Sequence, residues 1–192
     1  MQYILASSNQ GKIDEIKDTL GIDIQSLVDL GIEDDIEEFG VTFEQNALIK
    51  AQYVAKLFPE ALVISDDSGL EVRALDYAPG VYSKRFSGAE TNVYEENNKL
   101  LLAKMEGVED RYARFRTTLC VYSATNDICM FFNGTVEGEI GHEIDGFGGF
   151  GYDPIFIYQG ESFARLSLEA KNAVSHRGNA LAKLKKSGVL NV

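Results

Sequence analysis

The centre of the chain carries the segment Leu62-Val63-Ile64-Ser65-Asp66-Asp67-Ser68-Gly69-Leu70-Glu71-Val72. Its first four residues predict a buried strand that ends at Asp66, and the alternation from Leu70 onward predicts a second, half-buried strand. Neighbouring carboxylates in extended backbone point in opposite directions, so one can bond inside the fold while the other faces a ligand. The end of a strand is where α/β folds bind ligands. The aspartate pair is equally well explained as a polar turn or as a site for Mg²⁺ and phosphate.

Outward from this segment, helices are predicted early and late in the chain, with a long antiparallel section between them. A strand is predicted at residues 2–6, a helix from about Lys12 to Gly21, and a second strand at residues 23–27. Apolar residues at helical spacing predict a helix over Phe43–Phe58. Further predicted elements are helices at 94–105 and 177–187, a hairpin with strands 113–123 and 128–139, and a short strand at 155–157. The pattern predicts one α/β domain over residues 1–192.

Composition excludes several classes of protein. The 192 residues include 18 Lys and Arg against 30 Asp and Glu, a formal net charge of −12. This acidity argues against a protein that holds a nucleic-acid backbone, because phosphate contacts need clustered basic residues. Cys120 and Cys129 fit no zinc or disulfide pattern and predict thiols in a reduced compartment. Without a signal-peptide pattern or an apolar run of membrane length, a cytoplasmic protein with no membrane partner is expected.

A first candidate site is the strand–loop–helix segment Ser7-Ser8-Asn9-Gln10-Gly11-Lys12. Small residues let the backbone approach a ligand, and the start of the helix offers free N–H groups that favour an anion. It is not a P-loop, because the G-x-x-x-x-G-K-[ST] pattern is absent. Taken alone, a capped turn with a solvated lysine is the favoured explanation.

Two further segments carry candidate ligand contacts. Asn46 and Lys50 lie one helical turn apart, beside the apolar stripe of their helix, where water is their expected environment. Gly146–Pro154 contains G-x-G-x-x-G, but a β-like run follows it instead of the helix that a dinucleotide site needs. Phe150 and Tyr152 in this segment are either base-stacking residues or aromatics that fold back on the core.

A last candidate lies near the C-terminus, where Ser175 is a plausible helix cap and His176 and Arg177 fill the first turn. Basic residues oppose the helix dipole at this end, which mildly favours an anionic or electron-rich ligand there. Surface charge is the favoured explanation for this segment by itself.

Together these segments resemble one family, the inosine triphosphate pyrophosphatases, also called HAM1-like or noncanonical purine NTP pyrophosphatases. The resemblance runs in order along essentially the whole chain. It comprises Ser7-x-Asn9-x-x-Lys12, Gly40-Val41-Thr42-Phe43-Glu44-Gln45-Asn46-Ala47-x-x-Lys50-Ala51, Asp66-Asp67-Ser68-Gly69-Leu70-x-Val72, Pro79-Gly80-Val81-Tyr82-Ser83-x-Arg85-Phe86, Gly149-Phe150-Gly151-Tyr152-Asp153-Pro154-Ile155-Phe156 and Lys171-Asn172-x-x-Ser175-His176-Arg177.

The resemblance implies a fold and an activity. The implied fold is α/β, with an elongated mixed sheet, two lobes flanked by helices, and a central active-site cleft. Such enzymes are homodimers that need Mg²⁺ and hydrolyse ITP, dITP and XTP to the monophosphate and pyrophosphate. Acidity then restricts the substrate to free nucleotides.

The resemblance also implies roles for individual residues. Asp67 is expected to act as general base and metal ligand, with Glu37 as a second metal ligand. Lys50 is expected to be the second catalytic residue beside Asp67 and to contact the triphosphate. Ser7, Asn9 and Lys12 are expected to hold the triphosphate, and Ser8, Gln10, Gly11 and Ser68 are further expected substrate contacts. The residues expected around the base are Phe150, Gly151, Tyr152, Asp153, Lys171, His176 and Arg177.

The chain departs from the family pattern at one position and aligns loosely at another. Gln45 stands where the family has glutamate, and a supporting role is expected for it. The acidic loop offers Glu37 and Glu38, of which Glu37 is the predicted metal ligand.

Two other functions fit part of the pattern. A Maf-like pyrophosphatase of other modified nucleotides is disfavoured by the order of the 149–156 and 175–177 segments. A nucleotide-binding sensor without hydrolysis is disfavoured because it would not need the Asp66-Asp67 pair and Lys50.

Overall fold

The computed structural model describes residues 2–146 and 150–190, in which helices and strands alternate as far as Lys104, four strands follow, and two helices come last. The strands in these ranges are β1 (Tyr3–Leu5), β2 (Ile24–Ser26), β3 (Leu62–Val72), β4 (Tyr112–Ser123), β5 (Ile128–Ile140), β6 (Phe156–Tyr158) and β7 (Glu161–Ser162). The helices are α1 (Gln10–Leu20), α2 (Phe43–Leu57), α3 (Val93–Lys104), α4 (Leu168–Ala173) and α5 (His176–Ser187). Residues 147–149 of the predicted glycine-rich segment lie outside the described residues.

The strands form one mixed sheet in the order β2-β1-β3-β4-β5-β6-β7. β1 runs parallel to β2 and to β3, with Tyr3 opposite Ile24 on one side and Leu62 on the other. β6 runs antiparallel to β5 and β7. The predicted α/β class with a mixed sheet flanked by helices is confirmed.

The chain divides into two compact units. The first unit comprises Met1–Asp67, Thr117–Gly134 and Arg177–Val192. Its part of the sheet has apolar side chains on both faces, because alternate residues of a strand point to opposite sides. One cluster includes Leu5, Leu62, Ile64 and residues of α1 and α5, namely Ile13, Ile16, Ala180, Leu181 and Leu184. The other includes Ile4, Val63, Cys120 and, from α2, Ala47, Ala51 and Val54.

The second unit comprises Ser68–Arg116 and Thr135–His176. Its core contains one face of the sheet and the apolar side of α3, together with the turn that precedes β6. The buried members of this cluster include Leu70, Val72, Leu101, Met105, Ala113, Phe115, Val136, Tyr152, Ile155 and Phe156.

The central segment differs from its prediction, because Leu62–Val72 is one continuous strand. The sequence indicated a break at Asp66, where the apolar run stops. β1 pairs with this strand only from Leu62 to Ile64, but β4 lies beside it on the other side. The aspartate pair therefore lies within β3, just beyond the paired end of β1.

Local capping explains where the first two helices begin. α1 begins at Gln10 rather than at about Lys12, because the Asn9 side chain caps it. α2 covers the predicted range and begins after Thr42, whose hydroxyl accepts a hydrogen bond from the Gln45 N–H. α4 was not predicted. No helix within the described ranges is long and apolar enough to cross a membrane.

Candidate active site

The end of β1 and the start of α1 form a polar turn in the first unit. The Asn9 Oδ1 accepts a hydrogen bond from the Lys12 N–H at 3.1 Å, and the buried Ser7 Oγ accepts one from the Asn9 N–H at 3.3 Å. Ser8, Gln10 and Gly11 are exposed. The first N–H groups of a helix have no acceptor within the helix. This turn is therefore suited to bind an anion.

Asp66 lies at the centre of a buried charge cluster on the α1 and α5 side of the sheet. Its carboxylate is 1% exposed, pairs with the Lys12 ammonium at 2.9 Å, and lies 3.5 Å from the Arg177 Nε. Burial opposes its ionisation, but Lys12, Arg177 and Lys50 outweigh that effect and hold the pKa of Asp66 well below its usual range. Arg177 also binds Glu15. This carboxylate is a permanent anion that holds two cations in place.

Lys12 is strongly affected by the same cluster. Burial lowers the pKa of its ammonium, and the nearby charges of Arg177 and Lys50 act in the same direction, against the attraction of Asp66. Lys12 and Arg177 therefore share one carboxylate beside the start of α1, and the charge of Lys50 on α2 also acts on Lys12. An anionic ligand placed there would relieve the repulsion among these cations.

Asp67 faces the opposite side of the sheet, towards α2, and its environment differs. The carboxyl group is 8% exposed, and its Oδ2 accepts a hydrogen bond from the Asn46 Nδ2 at 3.0 Å. Burial raises the pKa of Asp67 to about 6, helped by the charge of Glu38 and opposed by Lys50 and Asn46. A carboxyl group with a pKa close to neutral is suited to accept a proton in general-base catalysis.

Asn46 connects this carboxylate to the acidic loop. Besides donating to Asp67, its Oδ1 accepts a hydrogen bond from the Gly40 N–H at 2.8 Å. Gly40 cannot carry a side chain here, because a Cβ would lie 2.6 Å from that oxygen. The water-facing position expected for Asn46 is wrong, since the residue is 1% exposed. The Gln45 Oε1 accepts a hydrogen bond from the Val41 N–H at 2.8 Å, so Gln45 supports the same loop. Among the described residues, no contact between Gln45 and Asp67 is seen.

The acidic loop brings Glu38, rather than the predicted Glu37, towards the site. The Glu38 carboxylate pairs with the Lys50 ammonium at 3.2 Å and raises the pKa of Asp67. Glu37 is exposed, and no contact with Asp67 or Lys50 is seen for it within residues 2–146 and 150–190. The loop aligns only loosely with the family motifs, so the sequence did not determine which of these two neighbouring glutamates contacts Lys50.

The donor set for a metal ion is small. No group of three or more His, Cys, Asp and Glu side chains that could hold a metal occurs in the described ranges. Asp67 and Glu38 nevertheless place two oxygen-bearing groups on one side of α2, and each repels the other's charge. Mg²⁺ is commonly held by one or two carboxylates, with water and phosphate oxygens completing its shell. This pair fits that pattern.

The second unit holds most of the residues predicted to contact a base. The buried Asp153 carboxylate accepts a hydrogen bond from the Phe150 N–H at 2.6 Å and pairs with the Lys171 ammonium. Phe150 is 61% exposed, and Gly151 adopts a φ of +62°. Tyr152 is 5% exposed and donates its hydroxyl to the Ser83 carbonyl at 2.7 Å. Phe150 therefore presents its ring outward, whereas Tyr152 belongs to the core.

The remaining predicted residues occupy separate places. Ser68 is half-buried on β3, where the second unit begins. The His176 ring stacks on Phe115 with centroids 5.3 Å apart. Arg177, predicted to lie around the base with His176, instead joins Lys12 and Asp66 in the first unit. Adjacent positions at the start of α5 thus serve different clusters.

Comparison with known proteins identifies the family of this chain. The model of the Ham1 family matches residues 3–187. The chain belongs to the Ham1 family. Among its Ham1-like relatives, a dITP/XTP pyrophosphatase of Caldanaerobacter subterraneus subsp. tengcongensis is 47% identical over 96% of this chain and 94% of the relative. A dITP/XTP pyrophosphatase of Bacillus subtilis is 43% identical over 96% of each chain.

Solved structures of Ham1 proteins have the same fold. The Staphylococcus aureus Ham1 protein superposes with a TM-score of 0.89 at 39% identity, over 97% of each chain. A protein from Mycobacterium abscessus described as a nucleoside-triphosphatase / dITP/XTP pyrophosphatase gives a TM-score of 0.80 at 38% identity, over 96% of this chain and 98% of that one. The family and the fold expected from the sequence motifs are confirmed.

Substitution of Asp67 by Asn should stabilise the metal-free Ham1 chain at about pH 8. The folded-state pKa of about 6 exceeds the ordinary 3.8, so the folded chain binds this proton more tightly, and ionisation of Asp67 lowers stability as pH rises through about 6. Asparagine avoids that loss, which amounts to about 1–3 kcal/mol in the free energy of unfolding. The difference should nearly vanish below about pH 4. Urea unfolding in EDTA at both pH values measures it.

The matched control is Asp66→Asn. The pKa of Asp66 in the folded chain lies below its ordinary value. Ionised Asp66 therefore stabilises the folded chain at any pH above the ordinary pKa, and this stability is lost as pH falls through the folded-state pKa. This variant should therefore be less stable than the unmodified chain at about pH 8. Equal effects of the two substitutions would contradict the assignment of opposite environments.

Proposed function

We propose that this chain hydrolyses noncanonical purine nucleoside triphosphates, namely ITP, dITP and XTP, to the monophosphate and pyrophosphate. The observation that carries the proposal is the buried Asp67 carboxyl group, with a pKa of about 6, in the same unit as a cluster of cations beside the start of α1. A proton acceptor and a triphosphate-binding cluster are what this hydrolysis needs. The names of the dITP/XTP pyrophosphatases that share 43% to 47% of the sequence support the substrate class.

In the proposed reaction, Asp67 acts as the general base. Water attacks the α-phosphorus, and the Asp67 carboxylate takes up the proton that the water loses. The bond between the α-phosphorus and the bridging oxygen breaks, and pyrophosphate leaves with the electron pair. The Asn46 amide holds the Asp67 carboxylate by its 3.0 Å hydrogen bond, so the acceptor oxygen keeps one orientation.

The triphosphate is assigned to the cationic cluster. Lys12, Lys50 and Arg177 provide three positive charges, and the first N–H groups of α1 add donors without a helical acceptor. Asp66 keeps two of these cations in position, and its own ionised form prevents their repulsion from displacing them. Charge that develops on the leaving pyrophosphate would be stabilised by these fixed groups.

A magnesium ion is part of the proposal. Asp67 and Glu38 would hold it, with phosphate oxygens and water as the other ligands. When bound, the ion would neutralise phosphate charge and make the attacking water more acidic. Glu38 replaces Glu37 in this role because its carboxylate is the one that acts on Asp67.

Recognition of the base is proposed for Phe150 and Lys171. The exposed Phe150 ring offers a surface for stacking, and Lys171 offers a hydrogen-bond donor held by Asp153. Hypoxanthine and xanthine carry an oxygen at position 6, which accepts from such a donor. Adenine carries an amino group there, which would leave the donor unpaired. Guanine shares the 6-oxo group, so its rejection requires exclusion of its 2-amino group.

A cytoplasmic location belongs to the same proposal. Cys120 is buried, Cys129 is exposed, and both are free thiols. Thiols of this kind persist in reducing compartments, where the free nucleotide pool is also found.

A homodimer is also proposed, as in the family that the motifs resemble. Several large apolar side chains of the first unit lie exposed: Val28, Phe39, Val41 and Leu57, with Phe39 and Val41 more than 70% exposed. Contiguous exposed apolar surface marks association sites, and Phe39 and Val41, two positions apart, are the candidates for one.

A panel of nucleotides tests the substrate class. With Mg²⁺, the purified chain should release pyrophosphate from ITP and XTP about 5- to 150-fold faster than from ATP, because an unpaired buried donor costs about 1–3 kcal/mol. GTP should also be slow. Equal rates on all four would contradict the proposed specificity. Preference for dTTP or modified pyrimidines would favour a Maf-like activity, and tight ITP binding without turnover would favour a sensor.

Substitution of the proposed base tests the mechanism. Asp67→Asn should lower kcat for ITP by about 100-fold or more, because an amide cannot accept the proton. Lys50→Met should raise KM and lower kcat, since it removes a charge from the triphosphate cluster. Lys17→Met is the matched control, because this lysine of α1 pairs with Asp29 at the surface. Retention of most of the turnover by Asp67→Asn would exclude Asp67 as the base.

The mass in solution tests the dimer. Light scattering after gel filtration should give twice the 21.2 kDa of one chain. Phe39→Ser combined with Val41→Ser serves as the test of the exposed apolar residues and should lower that mass. A mass of a single chain for the unmodified protein would overturn the dimer proposal.

A further inference from the structure

We infer that Tyr94 and Asn98 of α3 position the Phe150–Gly151 segment and thereby set the affinity for the purine base. This inference rests on the proposed function and assigns a part in binding the base to a helix that no motif in the sequence singled out. The Tyr94 ring meets the Phe150 ring edge to face, with centroids 4.6 Å apart and planes at 61°. Both side chains are exposed, by 43% and 61%. Core packing therefore does not explain why they meet.

Asn98 holds the backbone of the same segment. Its Nδ2 donates to the Gly151 carbonyl at 3.0 Å, although the two residues are 53 positions apart in the chain. Asn98 is 4% exposed, and its Oδ1 is buried with no hydrogen-bond partner in the part of the chain that is described. A buried acceptor without a partner lowers stability, which proteins tolerate mainly where a group serves another purpose.

Tyr94 and Asn98 act from one face of α3, because residues four apart lie one above the other on a helix. Leu101 continues this face and is fully buried in the core of the second unit. Asn97 fixes the helix to the turn before it, since its Nδ2 donates to the Ser83 and Lys84 carbonyls at 3.1 and 3.2 Å. The Tyr152 hydroxyl donates to the same Ser83 carbonyl. This face of α3 therefore contacts residues 150–152 through Tyr94 and Asn98, and shares the Ser83 carbonyl with Tyr152.

The consequence concerns the freedom of the Phe150 ring. An exposed phenylalanine next to a glycine with a φ of +62° would otherwise sample several orientations. Contact with the Tyr94 ring restricts that sampling, and the 61% exposure of Phe150 leaves ring surface for a base. Aromatic pairs in this geometry are favourable beyond their buried area. A ring that is already oriented loses less entropy when a base stacks on it, which raises affinity without affecting the chemical step.

Steady-state kinetics separate this role from catalysis. Tyr94→Ala should raise KM for ITP roughly 2- to 10-fold and leave kcat within about twofold, as expected for the loss of one aromatic pair. Tyr94→Phe keeps the ring and should restore KM. Glu95→Ala, a neighbouring exposed position of α3, is the matched control and should behave like the unmodified chain. Unchanged KM in Tyr94→Ala would overturn the inference.

A double substitution shows whether Tyr94 acts through Phe150. Phe150→Ala should raise KM for ITP, and Tyr94→Ala added to it should raise KM no further, because the ring to be oriented is gone. If the rise in KM of the double variant equals the product of the two single-variant rises, Tyr94 acts independently of Phe150, and the proposed positioning is overturned.

Fluorescence provides a measurement that does not depend on turnover. The chain contains no tryptophan, so Phe150→Trp places a single reporter in the segment. Tyr94→Ala or Asn98→Asp added to this variant should increase quenching of the tryptophan by acrylamide, whereas Glu95→Ala should not. Asn98→Asp keeps the shape but replaces the donor to Gly151 by an acceptor. Thermal unfolding by circular dichroism confirms that each variant is folded. Equal quenching in all variants would overturn the inference.

The two proposals fail in different ways. Absence of ITP hydrolysis by the unmodified chain would overturn the proposed function. If the unmodified chain hydrolyses ITP and Tyr94→Ala leaves its KM unchanged, only the proposed role of α3 is overturned.

Discussion

The ionised carboxylate of Asp66, buried at the end of the pairing between β1 and β3, is the constraint on which the site of the first unit depends. A buried charge is tolerated only with close counter-charges. Lys12 supplies one from α1, Arg177 supplies another from α5, and Lys50 of α2 adds its field. Asp66 therefore joins α1 to α5, and the charge of Lys50 on α2 favours its ionised form. The same arrangement concentrates positive charge in a chain whose net charge is −12.

Asp66 and Asp67 show how strand geometry makes two identical side chains chemically different. Consecutive residues of a strand point to opposite faces, so Asp66 meets the cations from α1 and α5, and Asp67 meets Asn46 and Glu38 on the α2 side. The first pKa is lowered by cations, and the second is raised by burial and a neighbouring carboxylate. A permanent anion and a proton acceptor thus arise from two adjacent residues. The extended backbone predicted that the two side chains point in opposite directions. It did not predict that their pKa values shift in opposite directions.

Buried asparagines connect remote segments in both units. Asn46 joins Gly40 to Asp67, and Asn98 joins α3 to Gly151. The helical pattern placed Asn46 beside the apolar stripe and therefore in water. That expectation failed because a polar side chain can be buried where other segments supply its hydrogen-bond partners, and the partners of Asn46 are 6 and 21 residues away. Periodicity along one helix contains no information about them.

The amino-acid sequence was sufficient for the order of most helices and strands, the mixed α/β class and the family, because apolar periodicity, caps and ordered motifs are local properties. It did not determine the continuity of β3, which depends on the neighbouring strand β4. Nor did it determine that Glu38 faces Asp67, that Arg177 joins Asp66, or that Tyr152 is buried. Each of these depends on groups from distant parts of the chain. Burial and electrostatic fields depend on distance in space, and only the tertiary structure determines that distance.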